Sequence, residues 1–446
     1  MNISTIETTS LGDRSYLIDD GEVAAVIDPQ RDVDRPLALA GERGVRITHV
    51  FETHIHNDYV TGGLELARVT GADYIVSALD DVKFQHRPIA DGETVEVGTM
   101  RITAMHTPGH THHHLSFVLH NDTGAPEAVF TGGSMLYGST GRTDLLGSQH
   151  TSELTHAQFH SVRKLADELP PTVAVYPTHG FGSFCSATPT TGDSSTIGEQ
   201  QEVNPALTKD EQSFVDELIA GLAEFPAYYA HMGVINTEGP QPVDLRMPEQ
   251  VDPSTLRKRI NDGEWVVDLR QRRAFAAGHL SGSMGFELST SFVTYLGWLY
   301  SWGSPITLVG TSRSEVMDAR RDLARIGVDN ITGAAVGHVV DLARPGETLR
   351  QYRVATFADL ASEHPSRAFT VLDTRRTDEH EKGAVPGSIN IPLHELLARR
   401  DEVPAGEVWV HCESGYRASV AASLLDRPGR DIVLIDDAFT NAHKVS

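Results

Sequence analysis

The sequence predicts an α/β protein of three domains, one large and two small. Three observations predict it. A chain of 446 residues is about three times an ordinary domain length. Its first half alternates short β-like runs with Gly- and Pro-rich turns. Its second half holds two copies of one pattern, roughly a hundred residues apart. Each copy passes from a wholly apolar run into helical periodicity, the mark of a parallel sheet with helices on both faces.

The elements follow in order. Residues 1–238 are the first predicted domain, with strands at Val23–Ile27, Val95–Met105 and Val173–Tyr176. Phe159, Val162, Leu165 and Leu169 recur at steps of three and four, one helical face, and Pro170-Pro171 stops that helix. The Ser/Thr-rich stretch 183–212 predicts a long surface loop. Pro240 to Pro253 carries four prolines and little apolar content, which predicts a linker. Residues 250–346 and 352–446 are the two small domains. Trp265–Arg270 (WVVDLR) corresponds to Thr370–Arg375 (TVLDTR), Gly278–Gly282 (GHLSG) to Gly383–Gly387 (GAVPG), and Ile306–Gly310 (ITLVG) to Val408–Cys412 (VWVHC). Within that repeat Thr311 is matched to Cys412.

Charge and composition narrow the function. Thirty-seven basic against 61 acidic residues give a net charge of −24, which repels phosphate backbones and anionic lipid and so disfavours nucleic-acid and membrane-surface roles. No run approaches a membrane span, and MNISTIETTS has neither the basic nor the apolar part of a secretion signal. Two cysteines, Cys185 and Cys412, cannot build a disulfide framework. The expectation is a soluble, reduced, cytoplasmic protein. Twenty-two histidines exceed what a core uses, and several stand close together.

Cys412 ends an apolar strand, and Cys412-Glu413-Ser414-Gly415-Tyr416-Arg417 runs into the Ala-rich helix Ala418–Leu425. Ligands bind at such strand ends in open α/β sheets. Loop N–H groups and the positive helix end stabilise a thiolate or a persulfide anion there, Arg417 adds a cation, and Gly415 lets the amides converge. The stretch resembles the rhodanese (sulfurtransferase) family. Its C-x4-R loop is one residue shorter than the C-x5-R of cysteine phosphatases and suits a single sulfur atom. Asp373-Thr374-Arg375 with Glu379, and Gly387–Pro392, match the same family, whereas the tail IDDAFTNAHKVS departs from it. The resemblance implies that Cys412 carries sulfane sulfur, with Glu413, Ser414, Gly415 and Tyr416 around it. Thr311 cannot form a persulfide, so the first copy is expected to be structural.

Thr53-His54-Ile55-His56-Asn57-Asp58-Tyr59, His106-Thr107-Pro108-Gly109-His110 and Pro177-Thr178-His179-Gly180 each follow a strand-like run. Delivering histidines from several strand ends is how an α/β scaffold gathers metal ligands. His112, His113 and His114 are expected to be loop histidines outside the first shell. Together these segments resemble the metallo-β-lactamase superfamily, which implies an αββα sandwich over residues 1–238. ETHIHNDYVTGG, VIDPQRD, GRTDLLG and the two trailing rhodanese-like domains resemble persulfide dioxygenases fused to rhodaneses. That family holds one non-haem iron by the first His of HxHxD, the His of TPGH and an Asp, implying His54 and His110 here. The usual Asp is replaced by Gly133, and the usual His after HxHxD by Tyr59, which disfavours a binuclear hydrolase site.

Three arrangements stay open: a three-histidine site of His54, His56 and His110; Asp58 or Asp144 replacing the carboxylate; or a metal-free site. His179 completes the candidate ligands. Cys185, in HGFGSFCS, is either a packed thiol near the pocket or a sulfur-handling one. The expected function is persulfide oxidation at Fe(II), with Zn as the other metal, coupled to sulfurtransfer through Cys412. The expected partners are a persulfide, thiosulfate, sulfite or a thiol. A zinc-dependent thioester hydrolase and a metal-free sulfurtransferase are the alternatives, and homo-oligomerisation is left open.

Overall fold

Strands Asn2–Thr8, Asp13–Asp19, Val23–Ile27, Arg46–Phe51, Asp73–Ser77 and Arg87–Ile89 form one six-stranded sheet in that order. Alternate residues along them serve opposite faces, as a strand's period of two requires. Tyr16, Ile18, Ala25, Ile27 and Phe51 point to one side, and Leu17, Ala24, Val26 and Val50 to the other. The first set meets Ile102, Ala104, Phe117 and Phe130 of a second six-stranded sheet. That sheet runs Ser195–Thr196, Ala174–Pro177, Pro126–Gly132, Leu115–His120, Met100–His106 and Thr94–Val97. The outward set is covered by helices Asp34–Arg43 and Gly63–Thr70 through Ala40 and Leu66. Helix Ser148–Glu168 covers the second sheet with Phe159, Val162 and Leu165 on Val118, Val129 and Val175. The result is the expected αββα sandwich. Each fully buried apolar side chain contributes about 1.5–3 kcal/mol, so this double core outweighs any single polar contact.

The computed structural model describes residues 1–190, 192–363 and 368–445. The chain divides into two compact units, one of Met1–Asp244 with Ala324–Gly327, the other of Leu245–Leu323 with Val328–Ser446. Among the described residues no helix is long and apolar enough to cross a membrane.

Two local expectations are corrected. Val95–Met105 is a hairpin, Thr94–Val97 with Met100–His106, that turns at Gly98 with φ +60°. The stretch 183–212 is a loop only in part. It contains helices Ile197–Val203 and Pro205–Thr208, with Ile197 and Ala206 fully buried. Thr196 and Glu199 form a capping box and Asn204 caps the second helix, so the polar residues that suggest a loop are helix starts.

The second unit holds two all-parallel sheets. The first orders Met284–Gly285, Trp265–Asp268, Ile306–Gly310 and Ile331–Val336. The second orders Arg353–Ala355, Arg430–Ile435, Gly406–His411, Thr370–Asp373 and Ile389–Asn390. The repeat extends to side chains. Arg270 forks onto Asp268 at 2.7 Å and donates to the Gly278 carbonyl at 2.9 Å. Arg375 does the same with Asp373 at 2.7 Å and the Gly383 carbonyl at 2.6 Å. Sheet register agrees with the pairing of Ile306–Gly310 with Val408–Cys412 and corrects the match of Thr311 by one residue. Asp268 lies opposite Val309 and Asp373 opposite His411, so Gly310, not Thr311, stands where Cys412 does. The first copy's helix begins at Arg313, three residues after Gly310, whereas the second begins at Tyr416, four after Cys412, so its loop is one residue shorter.

Candidate functional site

The histidine motifs leave neighbouring strand ends of the sandwich and meet in its interior. Thr53 follows Arg46–Phe51, and its hydroxyl donates to Asp28 Oδ2 at 2.7 Å. That hydroxyl therefore accepts the Nδ1–H of His54, 2.8 Å away. His110 Nδ1 donates to the Arg142 carbonyl at 2.7 Å. His179, after Ala174–Pro177, places Nδ1 2.9 Å from Asp13 Oδ1 and 3.2 Å from Asp58 Oδ2. The tethers of His54 and His110 fix the Nδ1–H tautomer and leave an Nε2 lone pair, as metal-ligating histidines require, and the tether of His179 aims its Nε2 at the same point.

The free nitrogens converge. His54 Nε2 and His179 Nε2 are 3.3 Å apart, and one nitrogen of each of His54, His110 and His179 lies within 4.8 Å of the others. His110 Nε2 is buried with no hydrogen-bond partner. Nitrogens held by one ion at about 2.1 Å would stand roughly 3–4 Å apart, so the three imidazoles fit a single cation. Burial and neighbouring histidine charge push His110 down to about 3 and His54 well below its usual value. Both are neutral donors. Burial opposes charge on His179 as well, yet Asp58 and Asp13 lift it to about 10. The two carboxylates thus keep a positive charge at this point, carried by the His179 ring with its Nε2–H toward the His54 Nε2 lone pair, and a cation held by the three rings would take the place of that proton.

Other expected ligands go elsewhere. His56 Nε2 lies 3.3 Å from Asp28 Oδ1, 3.1 Å from Glu52 Oε2 and 3.0 Å from the Tyr59 hydroxyl. Against burial, Asp28 and Glu52 raise it to about 9, so it is an imidazolium held by carboxylates. The donor atoms of His54, His110 and His179 form one close group, and His56 falls in other groups, with Asp58 and His179 and with Asp28 and Glu52. Asp58 is buried, and despite burial the His179 charge holds its carboxyl below the usual range. It also falls in a cluster with His56 and His179. Asp144 forks onto Arg142 at 2.7 and 2.8 Å and is not in these clusters. Cys185 is buried with its thiol 3.8 Å from the Tyr229 hydroxyl, and burial followed by Asp58 and Asp13 pushes it well up, which keeps it a thiol.

Gly133 has a structural counterpart. A Cβ on it would lie 2.2 Å from Cδ2 and 2.8 Å from Nε2 of His110, so that ring occupies the space a side chain would need. Gly133→Ala should therefore displace His110 and cost about 1–3 kcal/mol, read as a lower Tm; an unchanged Tm would show the ring free to move.

Sequence reasoning missed several residues. His114 lies in the turn before the strand, as expected, but it is buried, and its Nε2 accepts the Gly133 N–H at 3.0 Å. Its place directly before the apolar strand Leu115–His120 was the available signal. Asp28, at φ +50°, accepts the N–H and hydroxyl of Thr53, both at 2.7 Å, and the Thr178 hydroxyl. Its position straight after Val23–Ile27 was the cue.

In the second unit Cys412 is 1% exposed, and Gly415 donates its N–H to Sγ at 3.2 Å. Gly415 has φ +95°, which turns that amide onto the sulfur before helix Tyr416–Leu425. Arg417 forks onto Glu379 at 2.5 and 2.7 Å, so much of its charge is spent there. Burial opposes charge on Arg417, but Glu379 holds it protonated well above its usual range. Glu413 and Ser414 are exposed at the loop mouth, and Glu413 Oε2 is 3.8 Å from Arg375. Tyr416 is turned away, donating its hydroxyl to the Glu287 carbonyl at 3.0 Å.

Comparison with known proteins supports the two folds that carry these sites. Residues 12–179 match the family model of the metallo-beta-lactamase superfamily, and residues 356–444 that of the rhodanese-like domain. The chain is 29% identical over 238 residues to the mitochondrial persulfide dioxygenase ETHE1 of Homo sapiens, covering 52% of this chain and 81% of that one. It is 28% identical over 164 residues to the probable polyketide biosynthesis zinc-dependent hydrolase BaeB of Bacillus velezensis, covering 36% of this chain and 68% of the relative. Among solved structures, a metallo-beta-lactamase from Staphylococcus aureus superposes with TM-score 0.67 at 29% identity, covering 76% of this chain and 99% of that one. The chain thus joins a metallo-beta-lactamase superfamily domain, related to persulfide dioxygenases and carrying a His/Asp cluster fit for a metal, to a rhodanese-like domain.

Proposed function

We propose that this chain is an enzyme of sulfane-sulfur metabolism: residues 1–238 oxidise a small persulfide at one metal ion, and residues 352–446 move sulfane sulfur through Cys412. Residues 250–346 lack a nucleophile. The observation that carries the reading is the convergence of three Nδ1-tethered histidines on one cation-sized space, in a chain that also carries an N–H-cradled cysteine. The similarity to persulfide dioxygenases supports it.

In this reading His54 and His110 hold iron, with His179 as third donor where Gly133 offers none. Bound iron supplies a site for a persulfide sulfur and O2 and the redox chemistry between them. Thr53, the Arg142 carbonyl and Asp13 keep the three rings aimed. Burial of every member excludes bulk water. The reaction balances as RSSH + O2 + H2O → RSH + H2SO3. At Cys412 the thiolate attacks the outer sulfur of thiosulfate, the S–S bond breaks, and sulfite leaves with the electron pair. A thiolate or cyanide then takes the terminal sulfur and restores the Cys412 thiolate. The Gly415 N–H stabilises the anion in both states. A cytoplasmic setting accords with a cysteine that must cycle through its thiolate.

The test is anaerobic Fe(II) loading, desalting and elemental analysis, followed by O2 uptake with glutathione persulfide. About one iron per chain with O2 consumed is expected. Zinc with thioester turnover and no O2 uptake would establish the hydrolase instead, and no retained metal would leave sulfurtransfer alone.

A further inference from the structure

We propose that Arg272 and Arg273, on the repeat without a nucleophile, are positioning residues for sulfurtransfer: they hold and neutralise Asp436, the carboxylate on which Gly415 and its sulfur-facing N–H are seated. The inference rests on the Cys412 sulfurtransfer reading and extends it to the other repeat.

The first repeat has closed its own loop. Glu315 accepts the Thr311 N–H and the Thr311 hydroxyl, both at 2.7 Å, so a carboxylate of the chain occupies the amide that begins the cradle. Gly310 stands at the cysteine position. This copy therefore has neither a sulfur carrier nor an open anion site of its own.

What it offers lies against the Cys412 loop. Asp436 follows the strand Arg430–Ile435, and its side chain is 5% exposed. Arg272 Nε meets Oδ1 at 2.7 Å and Arg273 Nε meets Oδ2 at 2.5 Å. Gly415 lies directly on that carboxylate: a Cβ there would be 2.4 Å from Asp436 Oδ1 and 3.4 Å from Arg272 Nε. The same Gly415 donates to Cys412 Sγ at 3.2 Å. Arg272 also reaches Glu287 Oε2 at 2.8 Å, and the Glu287 carbonyl accepts the Tyr416 hydroxyl at 3.0 Å. The ring of Tyr295 packs 5.5 Å from that of Tyr416. Gly415 thus reaches the first repeat through Asp436, and Tyr416, which opens the following helix, rests on that repeat directly.

Charge explains why two arginines are used. A buried carboxylate beside an anionic sulfur opposes it, and an unpaired one is costly in its own right. Two guanidiniums cancel that charge while keeping the carboxylate as a rigid seat. Neither arginine needs to touch substrate.

The test uses the full chain and compares wild type, Arg272→Gln/Arg273→Gln, and the same pair with Asp436→Asn. The readouts are kcat and KM for thiosulfate with cyanide as acceptor, Tm, and the persulfide on Cys412 by intact mass. The double variant is expected to lose kcat about tenfold or more with KM for thiosulfate little changed, because the loop and not the substrate contact is disturbed. The triple variant should regain most of that kcat, since the uncharged Asn keeps the seat without the repulsion. Wild-type kcat in the double variant, or a loss that Asp436→Asn leaves in place, overturns the proposal. A wild-type protein that takes no sulfur from thiosulfate onto Cys412 would instead refute the sulfurtransfer reading itself.

Discussion

Cys412→Ser is expected to abolish thiosulfate:cyanide sulfurtransfer, with less than about one-thousandth of the wild-type rate remaining. The chemistry needs an anion that attacks sulfur and then bears a second sulfur. A serine hydroxyl at neutral pH is not ionised and forms no persulfide. The change is close to isosteric at a site 1% exposed, where the Gly415 N–H still finds an acceptor, so the fold should persist. Thiocyanate release and intact mass after thiosulfate treatment measure the effect. Substantial turnover in the serine variant would remove Cys412 from the mechanism.

His54→Ala should have the second-largest effect, on the other unit alone. Its Nε2 faces His179 Nε2 at 3.3 Å, and its Nδ1 is locked by Thr53. Removing it leaves two nitrogen donors where three converge, and metal affinity should fall at least about a hundredfold. Protein loaded anaerobically and desalted should retain almost no iron, and O2 uptake with a persulfide should vanish. Sulfurtransfer by Cys412 should be unchanged in the same preparation. Iron retained at the wild-type ratio would overturn the assignment of His54 as a ligand.

Much of this was legible because the motifs are local. His54, His110 and His179 each sit in a short segment after a strand, and Cys412 and Gly415 lie within one loop. The rest depends on residues far apart in the chain. His179 is aimed by Asp13, which is 166 positions away, and His56 is drawn off by Asp28 from the end of a neighbouring strand. No spacing rule connects those pairs. The strand segments Ile306–Gly310 and Val408–Cys412 already set Gly310 against Cys412, as the sheet register does, whereas matching Thr311 to Cys412 overlooks a loop that is one residue shorter in the first copy. The helices after Thr196 were hidden by composition, although Thr196-Ile197-Gly198-Glu199 spells a helix start.

The ring of His110 lying over Gly133 also bears on how this pocket can be redesigned. An aspartate placed at position 133 would bring its Cβ within 2.2 Å of an imidazole carbon, so that single substitution enters filled space. His110 would have to swing away from the Arg142 carbonyl that holds it at 2.7 Å. Adding a carboxylate here therefore calls for a paired change that also gives the His110 ring a new seat.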